Sequence, residues 1–469
     1  MTAILSGFLD VVSIFFLLYL LLYATYLFLS VTVGAWRLYK RDKMRSIKNE
    51  LKHEFYFPIS VLVPAYNEEV TILDNVESML NLDYQLYEII VVDDGSTDDT
   101  TKILVEHFDM IQVQRPIKRM VSCQPVEAVY ETRVNGIQLT VIKKKNGGKG
   151  DALNMGINAA QFPYFVCIDA DSMLQRDSLE RIIQPVMEDD SVVAVGGLIR
   201  VAQCVEMEEG KVESYHLPWN PLTCMQVMEY DRSFLASRIL LDNFNGNLII
   251  SGAFGLFKKD IVVAAGGYAG NTLGEDMELV LKLHAFCRQS QIPYSIRYEP
   301  NAVCWSQAPS SMKDFRSQRR RWHLGLFQCM MKYRSMFMKP HYGLVGSLSY
   351  LYYLLYELFT PQIEIFGLFA TILVAFAGML NIPFMLRFYA LYALYGAILT
   401  ITAFFQRIYT QNLKIGFNDV VKACVACVIE NFFFRFYVDL IRGTAFLGYR
   451  KYKNQWGKIK RSNLNKDKK

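Results

Sequence analysis

A chain of 469 residues with 20% charged and 14% aromatic side chains has room for a core of about 250–300 residues plus several membrane segments. Its formal charge of +5 is modest and gathers beside apolar segments, at residues 37–48 and 450–469, which argues for the cytoplasmic side of a membrane and against nucleic acid as a partner. Nine scattered cysteines and six histidines without HExxH spacing argue against a disulfide framework and against a zinc hydrolase; Cys424 and Cys427 form a CxxC inside an apolar run and are assigned no metal.

In chain order, residues 4–36 are apolar apart from Asp10 near the start, which exceeds the roughly 20 residues needed to cross a bilayer. No signal-peptide pattern is visible, so the segment reads as a retained anchor, with residue 37 onward in the cytoplasm. Residues 56–325 read as α/β. Short apolar runs at 59–63, 88–92, 139–142 and 164–168 are what buried parallel strands require. Asn67 is expected to cap a helix that starts with Glu68 and Glu69, and Ser96 or Thr97 to cap the next. A helix is expected over 149–160. Residues 115–138 lack clear periodicity and read as an excursion from a mostly parallel sheet.

Farther on, residues 361–380 and 383–405 are each long enough to span a membrane. Residues 342–358 are too short and carry Glu357, so an interfacial helix is expected. Residues 420–441 carry Glu430, Arg435 and Asp439 and either span or lie at the interface. Three spans or five would both keep the α/β block and the basic tail inside. The expected domains are an anchor (1–36), a basic linker (37–56), a catalytic domain (57–335), interfacial and membrane helices (336–445) and a basic cytoplasmic tail (446–469).

Three acidic clusters follow strands or open a helix. Asp93-Asp94-Gly95 ends an apolar run, where open α/β sheets bind ligands, and a carboxylate there can accept from a base or a ribose hydroxyl. The bland alternative is a turn signal. Asp169-Ala170-Asp171 supplies hard oxygen ligands suited to Mg2+ or Mn2+ that also binds phosphates. Gly274-Glu275-Asp276 precedes a helical pattern; a carboxylate there is either a dipole-stabilised cap or a general base. Between them lies a basic, glycine-rich stretch (residues 143–150), in which Lys149 is the best candidate for a diphosphate or ribose contact. It lacks P-loop spacing. Finally, Gln318, Arg321 and Trp322 sit in a very basic run. Arg321 can hold diphosphate oxygens in pairs, and Trp322 offers a flat face for a sugar. The loop 251–255 is apolar and glycine-bearing, either for a sugar's approach or for tight packing.

In this order the residues resemble the membrane-integrated, processive family 2 glycosyltransferases, the group of cellulose, hyaluronan, mixed-linkage glucan and poly-N-acetylglucosamine synthases. The resemblance covers residues 57 to about 365. It implies a GT-A fold, a Rossmann-like nucleotide-sugar domain flanked by transmembrane and interfacial helices. Asp94 matches the uridine-contacting acid, Lys149 the nucleotide-binding lysine, Asp169 and Asp171 the DxD with the second as metal ligand, and Asp276 the catalytic base. Gln318, Arg321 and Trp322 match QxxRW, the mark of processive members. Arg321 is expected on the diphosphate, and Glu275, Gln318 and Trp322 on the acceptor. The stretch NGGKGDALN departs from the family's usual HxKAGN-like form, which leaves the nucleotide contacts less fixed.

The resemblance implies an inverting hexosyltransferase that polymerises UDP-glucose or UDP-N-acetylglucosamine into an extracellular polysaccharide, with Mg2+ or Mn2+ as cofactor. Its expected partners are the UDP-sugar, the growing glycan, the bilayer and accessory export or regulatory subunits. The expected location is the plasma membrane, multi-pass, with the catalytic domain cytoplasmic. The alternatives are a non-processive transferase acting on a lipid carrier and an inactive export subunit. Charged residues among the later helices (Glu357, Glu364, Glu430, Arg435, Asp439) either line an export path or pair internally.

Overall fold

The computed structural model describes residues 2–48, 57–208, 210–410, 413–447 and 449. Residues 450–469 of the expected tail (446–469) and residues 49–56 of the linker lie outside them.

A long first helix, α1 (Thr2–Lys48), leads into the α/β block. There follow β1 (Ile59–Ala65), α2 (Ile72–Leu80), β2 (Tyr87–Asp93), α3 (Thr100–His107), β3 (Ile111–Gln112), β4 (Val126–Val134), β5 (Ile137–Lys144), α4 (Lys149–Ala159) and β6 (Tyr164–Ile168). The second half holds β7 (Ser172–Leu174), α5 (Ser178–Glu188), β8 (Val192–Val201), β9 (Val205–Glu208), β10 (Lys211–Tyr215), α6 (Pro221–Arg232), α7 (Arg238–Asp242), β11 (Phe254–Lys258), α8 (Lys259–Ala264), α9 (Glu275–Gln289) and β12 (Ser295–Ser306). Helix α10 (Met312–Lys332) closes the block.

The main sheet runs β3-β4-β5-β2-β1-β6-β11-β8-β12-β7. Its centre is parallel: β1 lies between β2 and β6, and β5 flanks β2. These strands read as unbroken apolar runs because helices cover both faces. β2 and β6 are buried at every position. Strand β11 enters antiparallel between β6 and β8. Part of the expected excursion is also sheet: β4 pairs antiparallel with β5. Its mixed, half-exposed pattern, not a clean alternation, hid it.

The capping expectations are corrected. Helix α2 starts at Ile72, not at Glu68. Asn67 instead adopts φ 56° and accepts from the Thr97 amide at 2.8 Å, while its own amide donates to Ser96 Oγ at 2.9 Å. Asn67, Ser96 and Thr97 thus lace together the two loops beyond β1 and β2. Helix α10 does start on a side-chain cap: Ser311 accepts from the Asp314 amide at 3.2 Å and donates to its carboxylate at 2.8 Å.

After α10 the chain forms α11 (Tyr350–Tyr352) between π-helical turns Val345–Ser349 and Tyr353–Leu358, then α12 (Thr360–Phe376), bent by 51° from them. Helix α12 has 17 residues, roughly 25 Å at 1.5 Å per residue, and stops before Gly378 at φ 67°. It is therefore shorter than the span expected at 361–380. Helix α13 (Ile382–Thr410) follows, then α14 (Phe417–Ile429), a π-helical turn Glu430–Phe434 and α15 (Arg435–Gly443). Among the described residues, 9–40 and 382–409 form two helices long and apolar enough to cross a membrane, or three spans if the bent pair counts as one. The apolar side chains Leu17, Leu21 and Leu22 of α1 are about 60% exposed, as a lipid-facing helix requires.

Helices α6, α1 and α13 join the two regions. Arg407 of α13 forms a buried pair with Asp231 of α6 at 2.6 Å, and Arg37 of α1 reaches Asp242 of α7 at 3.5 Å. Arg37 therefore packs on the α/β block instead of standing free in a linker.

Candidate active site

A single cavity of about 1080 Å³ collects the predicted residues. Asp94, Lys149, Asp169, Asp171, Glu275, Asp276, Gln318, Arg321 and Trp322 all line it. It opens beyond the carboxyl ends of β1, β2 and β6, where the topology of an open α/β sheet places ligands, and extends to Tyr356, Tyr392 and Arg435 among the later helices.

The centre of the site is a charge cluster around Lys149. Its ammonium lies 2.5 Å from Asp169 and 3.7 Å from Glu275, and donates to the Gly252 carbonyl at 3.4 Å. Burial alone would lower this ammonium, but Asp169 and Glu275 outweigh it and raise the group above its ordinary value. Burial likewise pushes the Glu275 carboxyl up to about 7, against the pull of Lys149 and with the help of Asp276. The hydrogen bonds to Asp276 come from backbone: its carboxylate accepts from the amides of Gly252 at 3.3 Å and Met277 at 2.8 Å, and it adds to the negative field on Lys149. The expected loop 251–255 is in part strand, since β11 starts at Phe254; ahead of that strand it is bare at Gly252, where a Cβ would come within 2.9 Å of the Lys149 ammonium. Asp171 is buried next to Ser172, whose hydroxyl donates to it at 3.4 Å.

Helices α9 and α10 bring the base candidate to QRRRW. They touch at Gly274 and Gly325, where a Cβ on Gly325 would meet the Gly274 nitrogen at 2.9 Å. Any side chain there would push Asp276 away from Trp322. Trp322 is 42% exposed. Gln318 is buried, with its carbonyl oxygen unsatisfied. The arginines of the motif divide: Arg319 grips Glu229 through two bonds of 2.7 and 2.8 Å, and Arg320 donates to the Ala445 carbonyl at 3.2 Å. Arg319 also lies 4.6 Å from the Trp322 ring centre, bracing the indole from behind.

Two features escaped the sequence reading. Lys144, read as one lysine of a basic loop, is fully buried and pairs with Asp94 and Asp151. Counting by two from the core residue Ile142 would have put it on an inward face. The Arg319–Glu229 clamp joins residues 90 apart and left no local signal. Asp94 itself accepts from Lys144 and from the amides of Gly147 at 3.0 Å and Gly148 at 2.7 Å. Burial raises its carboxyl above the ordinary value, against the lowering by those donors.

Toward the membrane helices the glutamates in and behind the cavity wall are ion-paired, while Asp439 in that wall keeps one carboxylate oxygen without a hydrogen-bond partner among the described residues. Glu430 meets Arg232 at 2.7 Å, Glu357 meets Arg442 at 3.2 Å, and Glu364 pairs with Arg435.

Known proteins resemble this chain in sequence and in fold. The poly-beta-1,6-N-acetyl-D-glucosamine synthase of Staphylococcus epidermidis (strain ATCC 35984) is 28% identical over 288 residues, 61% of this chain and 59% of that protein. The Staphylococcus aureus (strain COL) protein of the same name is 28% identical over 317 residues, 67% of this chain and 66% of its own length. The match with the first of these thus spans 59% of that relative's length. The fold is that of a mannosyltransferase from Pyrobaculum calidifontis, solved with GDP-Man and Mn2+: TM-score 0.51 at 20% identity, over 88% of this chain and 98% of that one. Glycosyl transferase family 2 matches residues 60–261, and glycosyl transferase family group 2 matches residues 164–405, just over half of the sequence. The chain belongs to the family 2 glycosyltransferases.

Proposed function

We propose that the chain is an inverting, processive β-glycosyltransferase that polymerises a UDP-sugar and passes the product out through its membrane helices. The observation that carries this reading is the continuity of one cavity from Asp94 and Asp171, past Asp276 and Trp322, to Tyr392 and Arg435. The relatives' name favours UDP-N-acetylglucosamine over UDP-glucose as donor. In this reading Asp276 takes the proton of the acceptor hydroxyl. The acceptor oxygen attacks the anomeric carbon as the bond to the UDP oxygen breaks on the opposite face. Lys149 and Arg321 hold the diphosphate, Asp94 the nucleoside, and Gln318, Glu275 and Trp322 the acceptor sugar.

Asp169 and Asp171 offer hard carboxylate oxygens at one strand end, a donor set that fits Mg2+ or Mn2+. In this reading phosphate oxygens of the donor would complete the set. Such an ion, when bound, offsets the charge that develops on the departing diphosphate. The two or three spans, with the basic residues in the last turns of α1, support a multi-pass protein of the plasma membrane whose catalytic domain is cytoplasmic.

The test is UDP release and product-size analysis with the full chain in detergent, given UDP-N-acetylglucosamine or UDP-glucose and Mg2+ or Mn2+. A polymer is expected. Discrete one-sugar lipids would replace the processive reading by the lipid-carrier one. No UDP release with any donor would leave an export subunit.

A further inference from the structure

We propose that Lys144 is a positioning residue: it fixes Asp94 as an acceptor with one open position, so that the nucleoside pocket demands a base with a ring N–H donor. The inference rests on the reading of the cavity as a nucleotide-sugar site.

A lysine ammonium has three N–H donors and no acceptor. Lys144, 0% exposed, donates to the Asp94 carboxylate and to its neighbour's carbonyl (Lys145) at 2.7 Å, and forms an ion pair with Asp151 Oδ1 at 2.7 Å. Fully buried among these three partners, the ammonium is not presented to a ligand. Asp151 is fixed in turn by the Gln124 amide, 3.1 Å from both carboxylate oxygens. The buried lysine therefore ties the end of β2, the end of β5 and the first turn of α4 into one unit.

The consequence falls on Asp94. An ionised carboxylate accepts at about four lone-pair positions. Oδ1 spends two, on Lys144 and the Gly147 amide at 3.0 Å; Oδ2 spends one, on the Gly148 amide at 2.7 Å. One position on Oδ2 remains, and Asp94 lines the cavity. Tyr66, 48% exposed, lines it as well, one residue beyond Ala65, whose carbonyl takes the Asp94 amide at 2.9 Å. A planar base on the Tyr66 face would turn its edge to that open position. Uracil and guanine present a ring N–H there; cytosine and adenine present a ring acceptor and would meet a second acceptor. Without Lys144, Asp94 and Asp151 face each other as like charges, one of them takes a proton, and a protonated Asp94 no longer tells the two edges apart.

Titration calorimetry of the full chain in detergent, with UDP, CDP and pyrophosphate as probes, tests this. The wild-type protein is expected to prefer UDP to CDP at least tenfold. In Lys144→Met that ratio should collapse toward one while pyrophosphate affinity stays unchanged. A purely structural role would weaken all three probes together, and a folded Lys144→Met with the wild-type ratio would overturn the proposal. If that variant does not fold, 3-methyluridine diphosphate decides with wild-type protein, because its ring N–H is blocked. At least tenfold weaker binding than UDP supports the proposal; equal binding overturns it. Wild-type protein that binds neither UDP nor CDP would overturn the nucleotide-sugar reading, and this inference with it.

Discussion

The two ends of the cavity handle charge in opposite ways. At the sheet end, Asp169 and Glu275 share one ammonium, that of Lys149, and Asp276 takes its hydrogen bonds from backbone amides. At the helix end, Glu430, Glu357 and Glu364 each have an arginine of their own. An electrostatically unfinished end can still receive a cation, a diphosphate or a proton. An end whose glutamates are paired, with only Asp439 keeping a carboxylate oxygen unpartnered among the described residues, holds these less tightly, which suits the passage of an uncharged chain. Charged side chains among apolar helices therefore serve different ends depending on whether their partners are complete, and that difference can be tested by mutation.

The largest effect is expected at the unfinished end. Asp276→Asn keeps the shape and the backbone contacts but cannot accept a proton. Glycosyl transfer, read as UDP release, should fall by about 10²–10⁴, with UDP affinity unchanged. Full activity in this variant would remove the base from the comparison.

Next comes the finished end. Arg232→Met strands Glu430, whose side chain is 8% exposed, without its cation. Removing one member of a buried pair costs roughly 3 kcal/mol or more. The thermal midpoint in detergent should drop, and the double variant Arg232→Met/Glu430→Gln should recover most of the loss. A single variant as stable as the wild type would mean that the pairing at this end is incidental.

A smaller effect tests where the sheet end stops. Trp322 is braced by Arg319 and faces the cavity. Trp322→Ala should raise the acceptor KM about tenfold, or ~1.4 kcal/mol, and shorten the products, without weakening UDP. Unaltered product length would move the acceptor platform elsewhere.

Much of the sheet end was legible in the sequence because its chemistry sits where strands stop, and buried parallel strands announce themselves as apolar runs. Asp94, Asp171 and Asp276 each follow such a run or open a helix, so their convergence needed only the topology. The helix end was less legible. Arg232 and Glu430 are 198 residues apart, and nothing local to either marks the other. The α11 region bends through π-helical turns that no hydrophobic period encodes, and α12 ends four residues short of the apolar run that predicted it. Lys144 was missed for a third reason: a lysine among lysines reads as solvated, and only the strand's alternation turns it inward.

The smallest predicted effect concerns Glu275, the carboxyl on which the unfinished end acts most strongly. Burial holds it up to about 7, whereas an unfolded chain would release that proton near the ordinary glutamate value. Between those two values the folded protein binds the extra proton, so stability falls as pH rises through the window and stays lower above it. Glu275→Gln removes the ionisation. At pH 8 the variant should be more stable than the wild type by about 1 kcal/mol or more, since one pKa unit is worth ~1.4 kcal/mol, and near pH 4 the two should unfold alike. The thermal midpoint against pH reads this directly. A gain that is the same at both pH values would mean that Glu275 is ionised and fully paired by Lys149, and the sheet end would then be as finished as the helix end.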